Sequence, residues 1–450
     1  MFDTTIKNRG AMTGRFKKTG LLAVAFAAAI GLGQALAGPA DAAEGTFKIG
    51  MTAFLSGPAA DAFGVPSMNG GKLMVDALNK GEVPGPYKGS VGIGGMKIEI
   101  VPVDEAGGAQ VQIQRFRDLV QREKVDAVVG YDGSGNCLAV APVAEELKAL
   151  AIFSGCGTPR IFEEASYEYV FRAGAHSTMD NVALAHYVAR KLPDAKTVAG
   201  FNQNYSWGQD SWRDFKLALD TFKPGMKVVD ELFPEKGAGQ YGAQISVLMR
   251  KKPDVVHSSL WGGDLEAFLL QAGPRGLFKK TNVVFAMAEH VLPRLAEKVP
   301  EGLMTGGRGA VGALHPDTPL ANWFYKAYEE RYGIPAVQAP FRFVQTILGL
   351  KTAVEKAMAA NGGKKPTTEE TAKAFEYATF EAPTGMIKMA IGGGHQAIQD
   401  NAIGISKWNA EKKRVELVDV EYFKAECINP PDGMKAVEWI EKGFPGAKCD

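Results

Sequence analysis

Residues 125–147 read VDAVVGYDGSGNCLAVAPVAEEL, and residues 151–159 follow with AIFSGCGTP. In each, a short apolar run ends in Gly, Ser or Thr, and after the first of them a helical pattern begins. A buried strand that feeds a helix through small residues is half of a βαβ unit, the building block of parallel sheets covered on both faces. The pattern recurs along the chain. Further strands are expected at Phe47–Leu55, Met96–Val103, Thr197–Phe201, Val255–Ser258 and Asn282–Ala286. Between them lie helical stripes such as Ile113, Phe116, Leu119 and Val120, and Tyr241, Ile245, Leu248 and Met249. From Glu381 the character changes, and Met386–Ala390, Ala402–Trp408 and Val415–Val420 read as strands joined by tight turns. The expected class is α/β with doubly wound parallel sheets. At 450 residues the chain exceeds one ordinary core and implies two lobes.

The first forty residues read as an address. Lys7, Arg9, Arg15, Lys17 and Lys18 precede an apolar run from Gly20 to Gly33, and small residues follow at Ala35–Ala37 and Ala40–Ala42. That order is a secretory signal peptide, placed at residues 1–42, because the apolar run is shorter than the ~20 residues needed to span a membrane. Its removal takes away five basic and two acidic residues and turns the formal charge of +1 into −2. Neither value offers a footprint for a phosphate backbone, so nucleic acid is excluded as a partner. Export also decides how Cys137, Cys156, Cys427 and Cys449 read: four cysteines in an oxidising compartment favour disulfides. Cys427–Cys449 and Cys137–Cys156 are plausible pairs, with three connectivities open.

A search for chemistry returns little. The six histidines include no H-E-x-x-H, there is no G-x-S-x-G and no Walker loop, and Ser134 sits in Asp-Gly-Ser-Gly-Asn. One G-x-G-x-x-G occurs at Gly307–Gly312, but Pro316 and Pro319 follow where a helix must open, so it reads as a glycine-rich connection. No enzyme activity, metal or cofactor is expected. Binding residues are sought instead at the carboxyl ends of strands, where open α/β sheets hold ligands. Ser134 and Thr158 are candidates to hold a carboxylate, or else plain helix caps. Trp207 and Trp261 follow two later strands and offer flat walls for an apolar or cationic group. Glu289 follows another, either as partner to an ammonium or as a carboxylate at a helix N-terminus.

Ser56-Gly57-Pro58, Gly64, Asn69-Gly70-Gly71, Val128-Val129-Gly130 and the run Ala139–Glu146 stand in an order that resembles the leucine/isoleucine/valine-binding-protein family, periplasmic solute receptors of ABC importers. The likeness runs from about Phe47 to the strands near Trp408. It implies a type I periplasmic binding fold: two α/β lobes joined by three crossovers, closing on a ligand. It places lobe I at 45–173 plus 312–385 and lobe II at 174–311 plus 386–450. By position it assigns Ser134 and Thr158 to the ligand carboxylate, Cys156 to a place where a backbone carbonyl and N–H line the site, and Glu289 to the ammonium. It makes Trp261, Trp207 and Phe63 aromatic contacts. The implied protein is a monomeric periplasmic receptor that hands a small amino acid to an ABC permease in the inner membrane. Tyr131 and Asp132 depart from the family's small polar stretch and, with the two tryptophans, imply a bulkier, differently charged pocket. The same fold binding an aromatic carboxylate or amide, or serving a sensor, is the alternative.

Overall fold

A computed structural model describes residues 45–449; the expected signal peptide lies outside them. Five strands come first: β1 (Thr46–Ala53), β2 (Lys97–Asp104), β3 (Ala127–Gly130), β4 (Ala151–Phe153) and β5 (Val170–Arg172). Five more follow: β6 (Thr197–Phe201), β7 (Lys227–Leu232), β8 (Val255–Ser258), β9 (Asn282–Phe285) and β10 (Met304–Gly306). The chain then lays down β11 (Thr379–Ala382), β12 (Gly385–Ile391) and β13 (Gln396–Ile398), and finally β14 (Asn401–Asn409) and β15 (Arg414–Phe423). The first sheet has the order β11-β12-β13-β5-β4-β3-β1-β2 and the second β15-β14-β10-β9-β8-β6-β7. The chain therefore changes sheet three times, after β5, after β10 and after β13. This is the type I periplasmic binding architecture.

Strand β1 shows why the segments fold this way. Phe47, Ile49, Met51 and Ala53 alternate into one core cluster, which Phe343, Val344 and Ile347 of the helix Gln338–Ala360 complete from lobe I. On the other face Gly50 leaves room for Leu119, whose Cδ1 lies 2.9 Å from where a Cβ would stand. Leu119 and Phe116 are buried on the helix Ala109–Gln121, as the apolar stripe requires. Burying both faces of a parallel sheet in this way is what its uninterrupted apolar runs predict.

Strand pairing corrects the expected lobe boundary at 385/386. Met389 pairs with Ala397, and Gln396 with Arg172 of β5, so residues 386–398 belong to lobe I. The turn Gly392-Gly393-Gly394, all at positive φ, keeps the hairpin within the first sheet. The crossover falls between Ile398 and Asn401. The three crossovers are tied together by amides: Gln345 Nε2 donates to Ala173 O and, at 2.6 Å, to Gln399 Oε1, while Gln399 Nε2 reaches Arg308 O at 3.2 Å.

Two disulfides are present, Cys137–Cys156 and Cys427–Cys449. The second pins the C-terminal segment, whose Trp439 and Ile440 pack into the core of lobe II. Among the described residues no helix is long and apolar enough to cross a membrane.

Candidate functional site: a cationic, aromatic cleft between the lobes

The loops at the carboxyl ends of β1, β3, β4, β6, β8, β9 and β10 meet where the two lobes face each other. Phe54 and Phe63 of lobe I pack against Trp207, Trp261, Ala286 and Met287 of lobe II in one apolar cluster. Phe63 lies edge-on to Trp261 with centroids 5.2 Å apart. The indole nitrogens are both occupied: Trp207 donates to Ser259 O at 2.9 Å and Trp261 to the Tyr205 hydroxyl at 2.8 Å. The rings are thus fixed in orientation and present their flat faces. The lobes also touch directly, Gly263 N donating to Pro58 O at 3.0 Å and Thr158 Oγ1 to Asp210 Oδ2 at 2.6 Å.

Within this cluster lies a tight pocket lined by Phe63, Asp132, Gly157, Tyr205, Trp207, Trp261, Met287, Arg308 and Arg342. Two buried arginines dominate its electrostatics. Arg342, at the start of the second turn of the helix Gln338–Ala360, donates from Nη2 to Asp132 Oδ1 at 2.6 Å and lies 5.3 Å from the Phe63 ring centre. Arg308, on the second crossover, pairs with Asp180 at 2.7 Å and stacks 4.6 Å over the Trp207 ring. Burial lowers Arg342 to about 10, which leaves it charged at neutral pH. Burial raises the Asp132 carboxyl, against the pull of the Arg342 and Arg308 guanidiniums. Behind Asp132, the Glu105 carboxylate accepts from Asp132 N at 2.8 Å and Gly133 N at 2.7 Å, and burial pushes it up to about 8. Gly157 is required by space: a Cβ there would stand 2.0 Å from Trp207 Cε3. At the mouth, Lys236 Nζ sits 5.1–5.2 Å from the rings of Phe54, Tyr205 and Trp261.

Of the residues expected from sequence, the structure gathers Phe63, Trp207 and Trp261 at the cavity. The others stand outside its lining. Ser134 Oγ accepts from Thr158 N at 3.3 Å, while Thr158 Oγ1 is engaged by Asp210 across the lobe interface and accepts from Arg160 N. Cys156 is held in its disulfide, and its carbonyl accepts from Arg172 Nη1. Tyr131 takes a positive φ of 58° that turns its ring into the lobe I core, edge-on to Phe153, and leaves its neighbour Asp132 at the cavity. Glu289 Oε2 accepts from Gln338 N at 2.7 Å, at the start of the helix that carries Arg342. Asp132, expected to change the charge of the pocket, stands in its lining, whereas Arg308, Arg342, Tyr205 and Met287 were not among the expected contacts. A signal for Arg342 existed: it is a lone charge inside the apolar run Phe341–Leu350. Among the described residues no cluster of His, Cys, Asp and Glu is arranged to hold a metal ion.

Two α/β lobes with three crossovers and a small buried cleft define a solute-binding architecture. The chain belongs to the periplasmic binding protein family, whose model matches residues 46–412. The solute-binding protein of an ABC transporter from Rhodopseudomonas palustris BisB5, solved with 3,4-dihydroxybenzoic acid, superposes with a TM-score of 0.72 at 21% identity, covering 84% of this chain and 98% of that one. A leucine-binding protein from Thermotoga maritima gives 0.67 at 22% identity over 83% and 98% of the two chains. At those identities the likeness is one of fold. An amino acid binding protein of Pseudomonas aeruginosa is 26% identical over 166 residues, 37% of this chain. That match spans less than half, 43%, of the Pseudomonas protein. The family and these neighbours are solute-binding proteins, not enzymes.

Proposed function

We propose that this protein is the periplasmic receptor of an ABC importer, taking a small organic carboxylate with a flat or apolar body into the cleft between its lobes. The observation that supports this most is the cavity itself: a charged guanidinium with donors to spare, set among four aromatic rings at the lobe interface. The carboxylate would meet Arg342 of lobe I, and the body would lie against Phe63, Trp207 and Trp261. Because Phe63 belongs to one lobe and the tryptophans to the other, a ligand between them stabilises the closed arrangement over the open one, which is what shifts such an equilibrium. The closed form would then be presented to a permease in the inner membrane by a monomeric receptor, after removal of residues 1–42 on export. Relatives named for amino acids and for benzoates both agree with a carboxylate ligand.

Titration calorimetry and thermal shift with a panel of amino acids, benzoates and amides test the reading. At least one carboxylate should bind with micromolar or tighter affinity, equivalent to about −8 kcal/mol. Failure of every small carboxylate to bind would remove the proposal.

A further inference from the structure

The ion pair between Asp132 and Arg342 is incompletely used by the protein. Arg342 Nη2 holds Asp132 Oδ1, yet Asp132 Oδ2 meets no protein donor, and Arg342 Nε and Nη1 meet no protein acceptor. All three atoms are buried, on side chains only 3% and 2% exposed, and both residues line the inner cavity. Unmatched charged groups at such depth cost more than any other polar defect, so a native site that carries them has a partner for them. The neighbouring charges are largely held by other partners. Both Glu105 oxygens accept from the Asp132–Asn136 loop, and Arg308 gives Nε to Asp180 and Nη2 to Ala175 O.

We propose that Asp132 and Arg342 together determine ligand specificity, by reading a head that carries an accepting oxygen and a donating nitrogen on neighbouring groups. The inference rests on the receptor reading above and specifies the head group of the ligand, with an uncharged amide as the neutral counterpart of the carboxylate case. A bare carboxylate would satisfy Arg342 but leave Asp132 Oδ2 unpaired beside a second negative charge. A bare amine would do the reverse. A head with both groups completes both residues at once, and in its charged form, an α-amino acid, the four charges alternate in sign around the contact. A primary amide offers the same pairing without charge. Both polar contacts then come from lobe I, which leaves lobe II to cover the body of the ligand through Trp207, Trp261 and Met287.

The test is titration calorimetry on the full secreted chain with three matched pairs: L-leucine and 4-methylpentanoate, L-phenylalanine and 3-phenylpropanoate, benzamide and benzoate. The donor-bearing member of a binding pair should be preferred by at least about tenfold, the penalty for leaving one buried acceptor unpaired. Preference for an amino acid selects the charged form, and preference for benzamide the neutral one. Asp132→Asn should weaken the amino acid by a similar factor and strengthen the corresponding plain acid, because Arg342 is then released from its ion pair. A misfolded variant would lose both, so the opposite signs separate specificity from damage. Equal or tighter binding of the plain acids overturns the inference while leaving the receptor reading intact. Binding of none of the six overturns both.

Discussion

Replacing Glu289 by Gln separates a scaffold carboxylate from a ligand-binding one. In the structure Glu289 Oε2 accepts from Gln338 N, and burial pushes the carboxyl from 4.5 up to about 8. The folded protein therefore keeps a proton at this site that the unfolded chain releases, so stability falls as pH rises from about 4.5 to about 8. At pH 7 the carboxyl is held neutral some 2.5 units above its unfolded value, a cost of roughly 3 kcal/mol. Glutamine has the shape of the protonated acid, retains an acceptor for Gln338 N and carries no such cost. Glu289→Gln should thus be more stable by about 2–3 kcal/mol at pH 7, with the gain shrinking toward zero near pH 4.5. Urea unfolding followed by tryptophan fluorescence across that range reads the difference directly. A gain independent of pH, or a loss of stability at pH 7, refutes the argument. Ligand affinity should be unchanged in the variant. A loss of about tenfold or more would instead make Glu289 the ammonium acceptor that the family resemblance implies.

Arg342→Met strands Asp132 as a buried, unpaired carboxylate and should cost about 3–5 kcal/mol. Adding Asp132→Asn should recover most of that stability without restoring binding, and a double variant as unstable as the single one would deny the pairing. Gly157→Ala drives a methyl into Trp207, so closure should be penalised by about 1–3 kcal/mol while each lobe stays folded. Small-angle scattering that still shows compaction on adding ligand, at unchanged affinity, would count against that contact. Replacing Cys427 and Cys449 by Ser should lower stability by roughly 3 kcal/mol and leave affinity alone, since the tail packs on lobe II away from the cavity. A change in affinity without a change in melting temperature would contradict this.

The fold was legible because its central strands are buried on both faces and so appear as apolar runs. Five strands escaped notice: β5, β10 and β13 are three residues each and β11 four, too short for any periodicity, while β7 is an edge strand whose charged, largely uncovered residues form no apolar run. The aromatic half of the site was legible for a related reason: Trp207 and Trp261 sit where the chain passes from a strand into the next helix, at the carboxyl ends of β6 and β8 that face the cleft. The polar half was not. Hydroxyls and carboxylates at strand ends have alternative partners, and Thr158 and Glu289 found them in Asp210 and in the backbone of Gln338. Arg308 was hidden inside Gly307–Gly312, where the glycines drew the reading toward a connection. It is a connection, and it also delivers a guanidinium onto Trp207.

The three sheet changes bear on how the molecule comes into being. Arg172 waits for Gln396, 224 residues later, before β5 gains its second neighbour, and lobe II lacks β14 and β15 until the last part of the chain. Neither lobe is a contiguous fragment, so neither can be completed from a partial chain. Pairings of such long sequence separation form slowly, after the entropy of large loops has been lost. A polypeptide built this way stays unfinished while it is being made and becomes whole only once its C-terminal strands are free to join.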